Sequence, residues 1–567
     1  MDASTPDSAA IPAARSGGRV VVDQLLRQGV DRVFSVPGES FLPVLDGLYD
    51  VADRISLVVC RHEGSAANMA DAHGKLTGRP GVCLVTRGPG ATHASVGLHT
   101  AHQDSTPLVA LVGLIPRGHR EREAFQEIDL PGALGWTTKW VAEVDEAARL
   151  PELLARAFHV ASSGRPGPVA LGLPEDVLTE FVVVDDAPPA RSTTTHPAPE
   201  SVDETAESLE RARRPLLLVG GGGWTPQASD ELAGLAADTD LPVVAAFRRQ
   251  DVLDNDDPRY VGVAGLGIDP ALAQRLHDAD LVVAIGPRLG DATTGGYTHL
   301  LVPRPRQQLV HVHPDPDELG RVYQPHLAIA SNPEPFLAAL RARRRISAPP
   351  WAAWRADARA DYERFQEGNP EHGDVVLSAV MATLRDRLPR DAIVTNGAGN
   401  YTVWVHRYLR WHVYRTQLAP TSGAMGYGVP AAIAAKLHDP ERVVVAFAGD
   451  GCFLMSAGEF ATAVQYGLGV VFIVVNNRRY ATIRMHQERQ FPGRPFGTDV
   501  GPVDFAALAR AHGAHGERVT HTDEFAPAFD RARSAGGPVL LDVVVEPDQL
   551  LPHATVTSIR AVERGGA

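Results

Sequence analysis

Cysteine is scarce in this sequence. Cys60, Cys83 and Cys452 are the only three in 567 residues, far apart and with no CxxC pair. That argues against a disulfide framework and a cysteine-based zinc site, and fits a reducing cytoplasm. Positive charge is also short. The formal net charge is −14, which speaks against nucleic acid as a main partner, because phosphate binding requires a basic surface. The local arginine clusters, Arg211 with Arg213 and Arg214, and Arg343 to Arg345, read as solvated helix ends. No run of about eighteen apolar residues is present to span a bilayer, so no membrane partner is expected. The opening stretch MDASTPDSAAIPAARSGG lacks an apolar signal-peptide region, and residues 1–17 read as a disordered tail.

What remains is an ordinary globular composition, 44% apolar and 22% charged, in a chain too long for one core. Buried-strand and helix patterns alternate in three stretches, which predicts three parallel α/β domains. The first, 18–186, carries RVFSV, GVCLVT and PLVALVG. A Pro/Ser/Thr-rich linker, 187–201, precedes a second domain, 202–345, with PLLLVGGGG and LVVAIG. A polar, charged linker, 346–373, leads to a third domain, 374–550, with AIVTNG, RVVVAFAGDG and VVFIVVNN, and 551–567 reads as a tail.

Ligands of such sheets bind outside the carboxyl ends of the strands. AFAGDGCFLM places Asp450 there between Gly449 and Gly451. A helix-like stretch follows, and then the strand VVFIVV ends in Asn476-Asn477. Right-handed crossover brings the two strand ends to one edge of a sheet. A carboxylate, an amide oxygen and a nearby carbonyl suit a hard cation, Mg²⁺, that shares its remaining positions with phosphate oxygens. The glycines admit phosphate close to the backbone, and a helix N-terminus adds its dipole.

GDG, about two dozen residues and then NN resembles the signature of thiamine-diphosphate (ThDP) enzymes. The likeness runs over nearly the whole chain and is closest to the acetolactate synthase-like group. It implies an α/β fold of three doubly wound parallel-sheet domains: pyrimidine-binding, central Rossmann-like and diphosphate-binding. By this resemblance Asp450, the Asn477 side chain and the Arg479 carbonyl hold Mg²⁺ on the cofactor diphosphate, beside Gly449, Gly451 and Cys452. Glu63, in RHEGSAANMADAHGKLTGRP, matches the glutamate that bonds the aminopyrimidine ring. A carboxyl in a largely apolar cleft can trade a proton with that ring and so activate the cofactor. GPGAT, with Pro89, resembles the loop on the pyrimidine side. In PTSGAMGYGVPAA the carbonyl of Gly423 would accept from the cofactor's amino group, and Met425 would prop its bent shape. NGAGNYTVW resembles a second diphosphate loop, with Asn400 and Tyr401 where acetolactate synthases carry Gln and His.

The resemblance also implies a 2-oxo acid donor and a carbonyl acceptor. Carboligation of the bound enamine competes with its protonation, the decarboxylase outcome. No HH dipeptide of the pyruvate-decarboxylase kind occurs, whereas EAFQEIDL resembles the synthases and makes Phe125 and Gln126 site candidates. Glu39 stands where synthases have glycine and pyruvate-type decarboxylases aspartate. Ala292 replaces an arginine of the synthases' GxRFDDRVTG, and Thr482, Ile483 and His486 replace Met, Val and Trp. Glu39 and His486 are candidate proton donors. GGGGW (220–224) leaves bound FAD and a non-binding spacer as alternatives. The reading is a ThDP- and Mg²⁺-dependent carboligase, acetolactate synthase-like. Its runner-up is a 2-oxo acid decarboxylase or 2-hydroxy-ketone/acyl lyase, and a non-catalytic regulatory homologue comes last. The family shares its sites between subunits, which implies a homodimer or homotetramer.

Overall fold

Runs of β-branched and aliphatic residues such as Val470–Asn476, buried along their whole length, need cover on both faces of a sheet. Parallel strands supply this, because each crossover lays a helix on the sheet. The computed structural model describes residues 13–343 and 349–565 and contains three such sheets, each of six parallel strands. The first holds β1 (Arg32–Ser35), β2 (Ser56–Val59), β3 (Gly81–Val85), β4 (Leu108–Leu114), β5 (Trp140–Glu143) and β6 (Pro168–Pro174) in the order β2-β1-β3-β4-β6-β5. The second holds β7 (Pro215–Val219), β8 (Val243–Ala245), β9 (Tyr260–Val263), β10 (Leu281–Ile285), β11 (Gln308–His313) and β12 (Leu327–Ala330) in the order β9-β8-β7-β10-β11-β12. The third holds β13 (Ile393–Asn396), β14 (Gln417–Leu418), β15 (Val444–Gly449), β16 (Val470–Asn476), β17 (His515–Val519) and β18 (Val539–Val544), in the order β14-β13-β15-β16-β18-β17. The outer sheets therefore share one topology. The central one has the order of a Rossmann domain.

Eight helices matter for the site: α1 (Glu63–Thr77), α2 (Gly88–Asp104), α3 (Ala352–Phe365), α4 (Gly428–His438), α5 (Asp450–Leu454), α6 (Glu459–Gln465), α7 (Ala481–Gln490) and α8 (Val556–Gly565). Small residues on α1 (Ala66, Ala67, Ala70) and α4 (Ala431, Ala432, Ala435) let these helices of the first and third domains pack closely, so the two domains share one hydrophobic core. At that seam Lys75 lies between Asp71, 2.8 Å away, and Asp104, and the Tyr427 hydroxyl donates to Asp71 at 2.6 Å. These side chains are buried, so the charges are neutralised inside the seam rather than by solvent. Burial pushes the Asp71 carboxyl up, against the pull of Lys75.

Several expectations about individual segments need correction. Residues 346–373 contain α3, whose Tyr362 enters the core of the central domain together with Trp351 just before the helix. The segment's many charges mask this; Asp357, Glu363 and Arg364 are exposed, while Arg359 is buried and donates to the Asn255, Asp257 and Tyr260 carbonyls. The C-terminal residues after 550 form a short β-pairing and α8, whose Val556 and Ile559 pack with Met485, Leu550 and Leu551. The stretch after Gly451 is two short helices, α5 and α6, not one. The linker 187–201 is extended up to Ala198, and the helix Pro199–Arg211 begins inside it. Of the tail 1–17, residues 1–12 lie outside the described residues; Arg15–Ser16 pair antiparallel with Phe181–Val182.

Candidate active site

The chain leaves β13, travels to β14 at the sheet edge and returns across β13 to form β15. Loops diverge at such a switch and open a crevice at the carboxyl ends of the strands. A cavity of about 220 Å³ lies there, lined by Gly423, Met425, Asn400, Tyr401, Gly449, Asp450, Gly451, Cys452, Asn477, Arg479 and Thr482. Sequence-separated candidates thus meet in one place.

Asp450 opens α5. Its Oδ1 accepts from the Gly451 N–H at 2.7 Å, while Oδ2 is buried without a hydrogen-bond partner. Burial pushes the carboxyl up to about 6, against backbone N–H groups of Gly451, Arg478 and Arg479. A buried carboxylate oxygen with nothing to bind is costly unless a cation meets it. Asn477 and Arg479 stand beside it, and Arg478 between them takes a left-handed φ of 59°, which folds the chain back over the cavity. An orphaned carboxylate oxygen, an amide oxygen and a strained loop bearing a carbonyl make a donor set that fits Mg²⁺.

The glycines serve two different ends. Gly423 has φ 70° and open space where a side chain would be, so its backbone can face a ligand. Gly451 is required by the protein itself, because a Cβ there would lie 2.4 Å from the Tyr480 ring. Asn400 and Tyr401 line the cavity but spend their polar atoms elsewhere. Asn400 donates to the Leu550 carbonyl at 2.9 Å and accepts from the Thr482 hydroxyl at 2.8 Å. The Tyr401 hydroxyl accepts from the Gly397 N–H at 3.0 Å and touches the Cys452 sulfur, which accepts from the Gly426 N–H at 3.2 Å. These side chains brace three loops against one another. His486 is exposed on α7 and does not line the cavity.

A second constellation sits at the carboxyl ends of the first sheet. Glu63 begins α1, its side chain 11% exposed, with Oε2 2.9 Å from His93 Nδ1. The Gly64 N–H donates to His62 Nδ1 at 3.0 Å, which caps the helix. Glu459 on α6 accepts from the N–H groups of Arg61 and His62 at 2.9 and 3.0 Å, so the third domain fixes where α1 starts. The Gln126 carbonyl accepts from the Gly88 N–H at 3.0 Å, next to Pro89. Glu121, Glu123 and Gln126 all have positive φ, and the Glu127 carboxylate holds their loop by accepting from Glu121 and Ala124 N–H groups. Phe125, 74% exposed, stands at its tip. Glu39 is tied to Arg87 at 2.6 Å. His93 escaped the sequence reading, although it immediately follows GPGAT. None of these residues lines the Asp450 cavity.

In the glycine run of the Rossmann-type central domain, two positions are closely approached by the protein itself. A Cβ at Gly221 would lie 2.1 Å from the Gly286 carbonyl, and one at Gly222 2.7 Å from Ser105, so protein already fills the space. Gly221 also lines, with Arg288 and Ala292, a cleft of about 100 Å³.

Comparison with known proteins agrees with this arrangement. Residues 15–133 match the N-terminal TPP binding domain of thiamine pyrophosphate enzymes, 202–340 their central domain and 397–543 their C-terminal TPP binding domain. The chain belongs to the thiamine pyrophosphate enzyme family. Thiamine pyrophosphate is ThDP by its other name, so this is a ThDP-dependent α/β enzyme whose two cofactor-binding domains are the two of like topology. The chain is 33% identical to the acetolactate synthase isozyme 2 large subunit of Escherichia coli, over 94% of this chain and 96% of that one. It is 32% identical to an acetolactate synthase large subunit of Corynebacterium glutamicum, over 97% and 90%. The probable acetolactate synthase large subunit of Methanocaldococcus jannaschii is 30% identical, over 94% and 93%. Among the described residues no helix is long and apolar enough to cross a membrane.

Proposed function

We propose that this ThDP enzyme is an acetolactate synthase-like carboligase, which releases CO₂ from a 2-oxo acid and joins the remaining acyl unit to a second carbonyl compound, giving a 2-hydroxy ketone. The likeness to acetolactate synthases along almost the whole chain supports the reaction class. The observation that carries the choice of carboligation over aldehyde release is the fate of the two candidate proton donors. Glu39 is tied to Arg87, and His486 is exposed away from the cavity. His486 is therefore not placed to quench a carbanion there, and Glu39, which would enter a shared site from the same first domain as Glu63, has a carboxylate oxygen engaged by Arg87.

Asp450, the Asn477 amide oxygen and the Arg479 carbonyl would hold Mg²⁺, and the N-terminus of α5 would meet the diphosphate. ThDP supplies the carbon nucleophile and the electron sink for decarboxylation. The chain's part is to orient and to move protons. Met425 and the Gly423 backbone shape the cleft, and Glu63 would hold and exchange a proton at its carboxyl toward the pyrimidine ring. Gln126 and Phe125 stand over the GPGAT loop where a substrate would enter. Thr482 and Ile483 would border the acceptor, and Ala292 would give a carboxylate no partner. FAD has no role in this reading. Glu63 lies outside the Asp450 cavity of its own chain, and the exposed apolar side chains of Phe125, Trp136, Leu454 and Met455 offer faces to cover. Both facts support a homodimer in which Glu63 of one chain serves Asp450 of the other.

The test uses purified protein with ThDP, Mg²⁺ and pyruvate, with Glu63→Gln as control. Acetolactate formed by the native protein alone is the expected result. Acetaldehyde in its place would make the enzyme a decarboxylase.

A further inference from the structure

The pair formed by Glu63 and His93 has a use beyond structure. We propose that His93 exchanges protons between the Glu63 carboxyl and solvent, so that Glu63 is reset in each catalytic cycle. The inference rests on reading Glu63 as the carboxyl that trades a proton with the cofactor ring. A carboxyl that is 89% covered cannot do so repeatedly without a path for its proton. Its Oε2 is 2.9 Å from His93 Nδ1, whereas Oε1 makes no hydrogen bond among the described residues and lies beside Gly90. One oxygen is thus free for a ligand and the other is committed to an imidazole. In the single chain the His93 side chain is 52% exposed, so the ring carries the proton path from a buried atom to the surface of the first domain.

The ring's surroundings suit transfer. His62 stacks on it with centroids 4.7 Å apart, and His62 is itself fixed by the Gly64 N–H. Glu63 and His62 are the titratable side chains that face His93; Arg61 turns away to the Val59 carbonyl and Gln465. The step balances in atoms and charge. Water delivers a proton to Nε2, the Nδ1 proton passes to Glu63 Oε2, and the ring stays neutral overall; the reverse sequence discharges Glu63. His93 acts through Glu63 and touches no reacting atom, so it is a positioning and proton-exchange residue.

The experiment measures exchange of the ThDP C2 proton for deuterium by acid quench and NMR, in the full chain loaded with ThDP and Mg²⁺. His93→Asn keeps a donor near the Nδ1 position but cannot relay a proton, and His93→Ala opens the site. Both are expected to bind ThDP within about twofold of native and to slow exchange about tenfold or more. Added imidazole is expected to restore most of the rate in His93→Ala, which a purely structural role would not produce. Slowed exchange in Glu63→Gln together with a native rate in His93→Asn would overturn the role of His93 alone. A native rate in Glu63→Gln would overturn the reading of Glu63, and His93 with it.

Discussion

Asp450 is held in a conformation that serves a ligand better than it serves the unliganded chain. Its buried Oδ2 has no partner, and burial raises the carboxyl to about 6. A carboxylate whose folded value is raised stabilises the fold only at low pH. Its contribution is complete below the unfolded value, about 4, and is lost as pH rises through about 6. Asp450→Asn is therefore expected to raise apo-protein stability by about 1–3 kcal/mol at pH 8, with the gain vanishing below about pH 4. The same variant should lose the stabilisation that Mg²⁺ and ThDP give the native protein, by about 2 kcal/mol or more at saturating cofactor. Thermal melts with and without cofactor check both signs. An apo form destabilised by the substitution would show that the carboxylate is satisfied within the protein. At this scale Asp450 and Asn477 were legible, because GDG and NN end long apolar runs. The engagement of Asn400 with Thr482 and of Glu63 with His93 was not, because each pair joins residues from different elements.

Among the elements, α7 is the one most exposed to disturbance, since Thr482 and Ile483 line the cavity from its first turn. α8 clasps it from outside. Arg560 makes two contacts with the Glu488 carboxylate, at 2.7 and 2.8 Å, and Arg484 adds a third at 2.9 Å. The Arg560 bond holds Glu488 at about 2. For a depressed carboxyl the stabilisation is present above the unfolded value and is lost only as pH falls through about 2. The clasp should therefore survive mild acid. Arg560→Ala is expected to remove about 1–3 kcal/mol of local stability, the charge left on Glu488 being still met by Arg484. Hydrogen exchange across 481–490 should speed up accordingly, and KM should rise more than kcat falls. Unchanged exchange there would mean that the apolar contacts of Val556 and Ile559 suffice. The sequence showed this C-terminal segment as a tail, since a short amphipathic stretch is recognisable only by the face it meets.

For the whole molecule, the question is which chain completes which site. In one chain Glu63 and the Asp450 cavity belong to separate constellations, while Glu459 ties the start of α1 to the third domain of the same chain. Mixing Glu63→Gln subunits with Asp450→Asn subunits tests the arrangement. If sites are shared across a dimer, a mixed pair contains one site with both native residues, and random mixing should return about a quarter of native activity. Sites completed within one chain would return none. Sedimentation of the native protein is expected to give a dimer or larger assembly.

The sequence by itself determined three parallel α/β domains, the ThDP family, and the residues at strand ends, because period, burial and punctuation are written locally. Tertiary structure decided the rest. It gave the two cofactor domains one topology, brought His93 to Glu63, turned two apparent connecting segments into packed helices, and set Gly221 and Gly222 of the central glycine run against Gly286 and Ser105. Each of these depends on which surfaces meet across large separations in sequence, and hydrophobic periodicity states that a face is buried without stating against what.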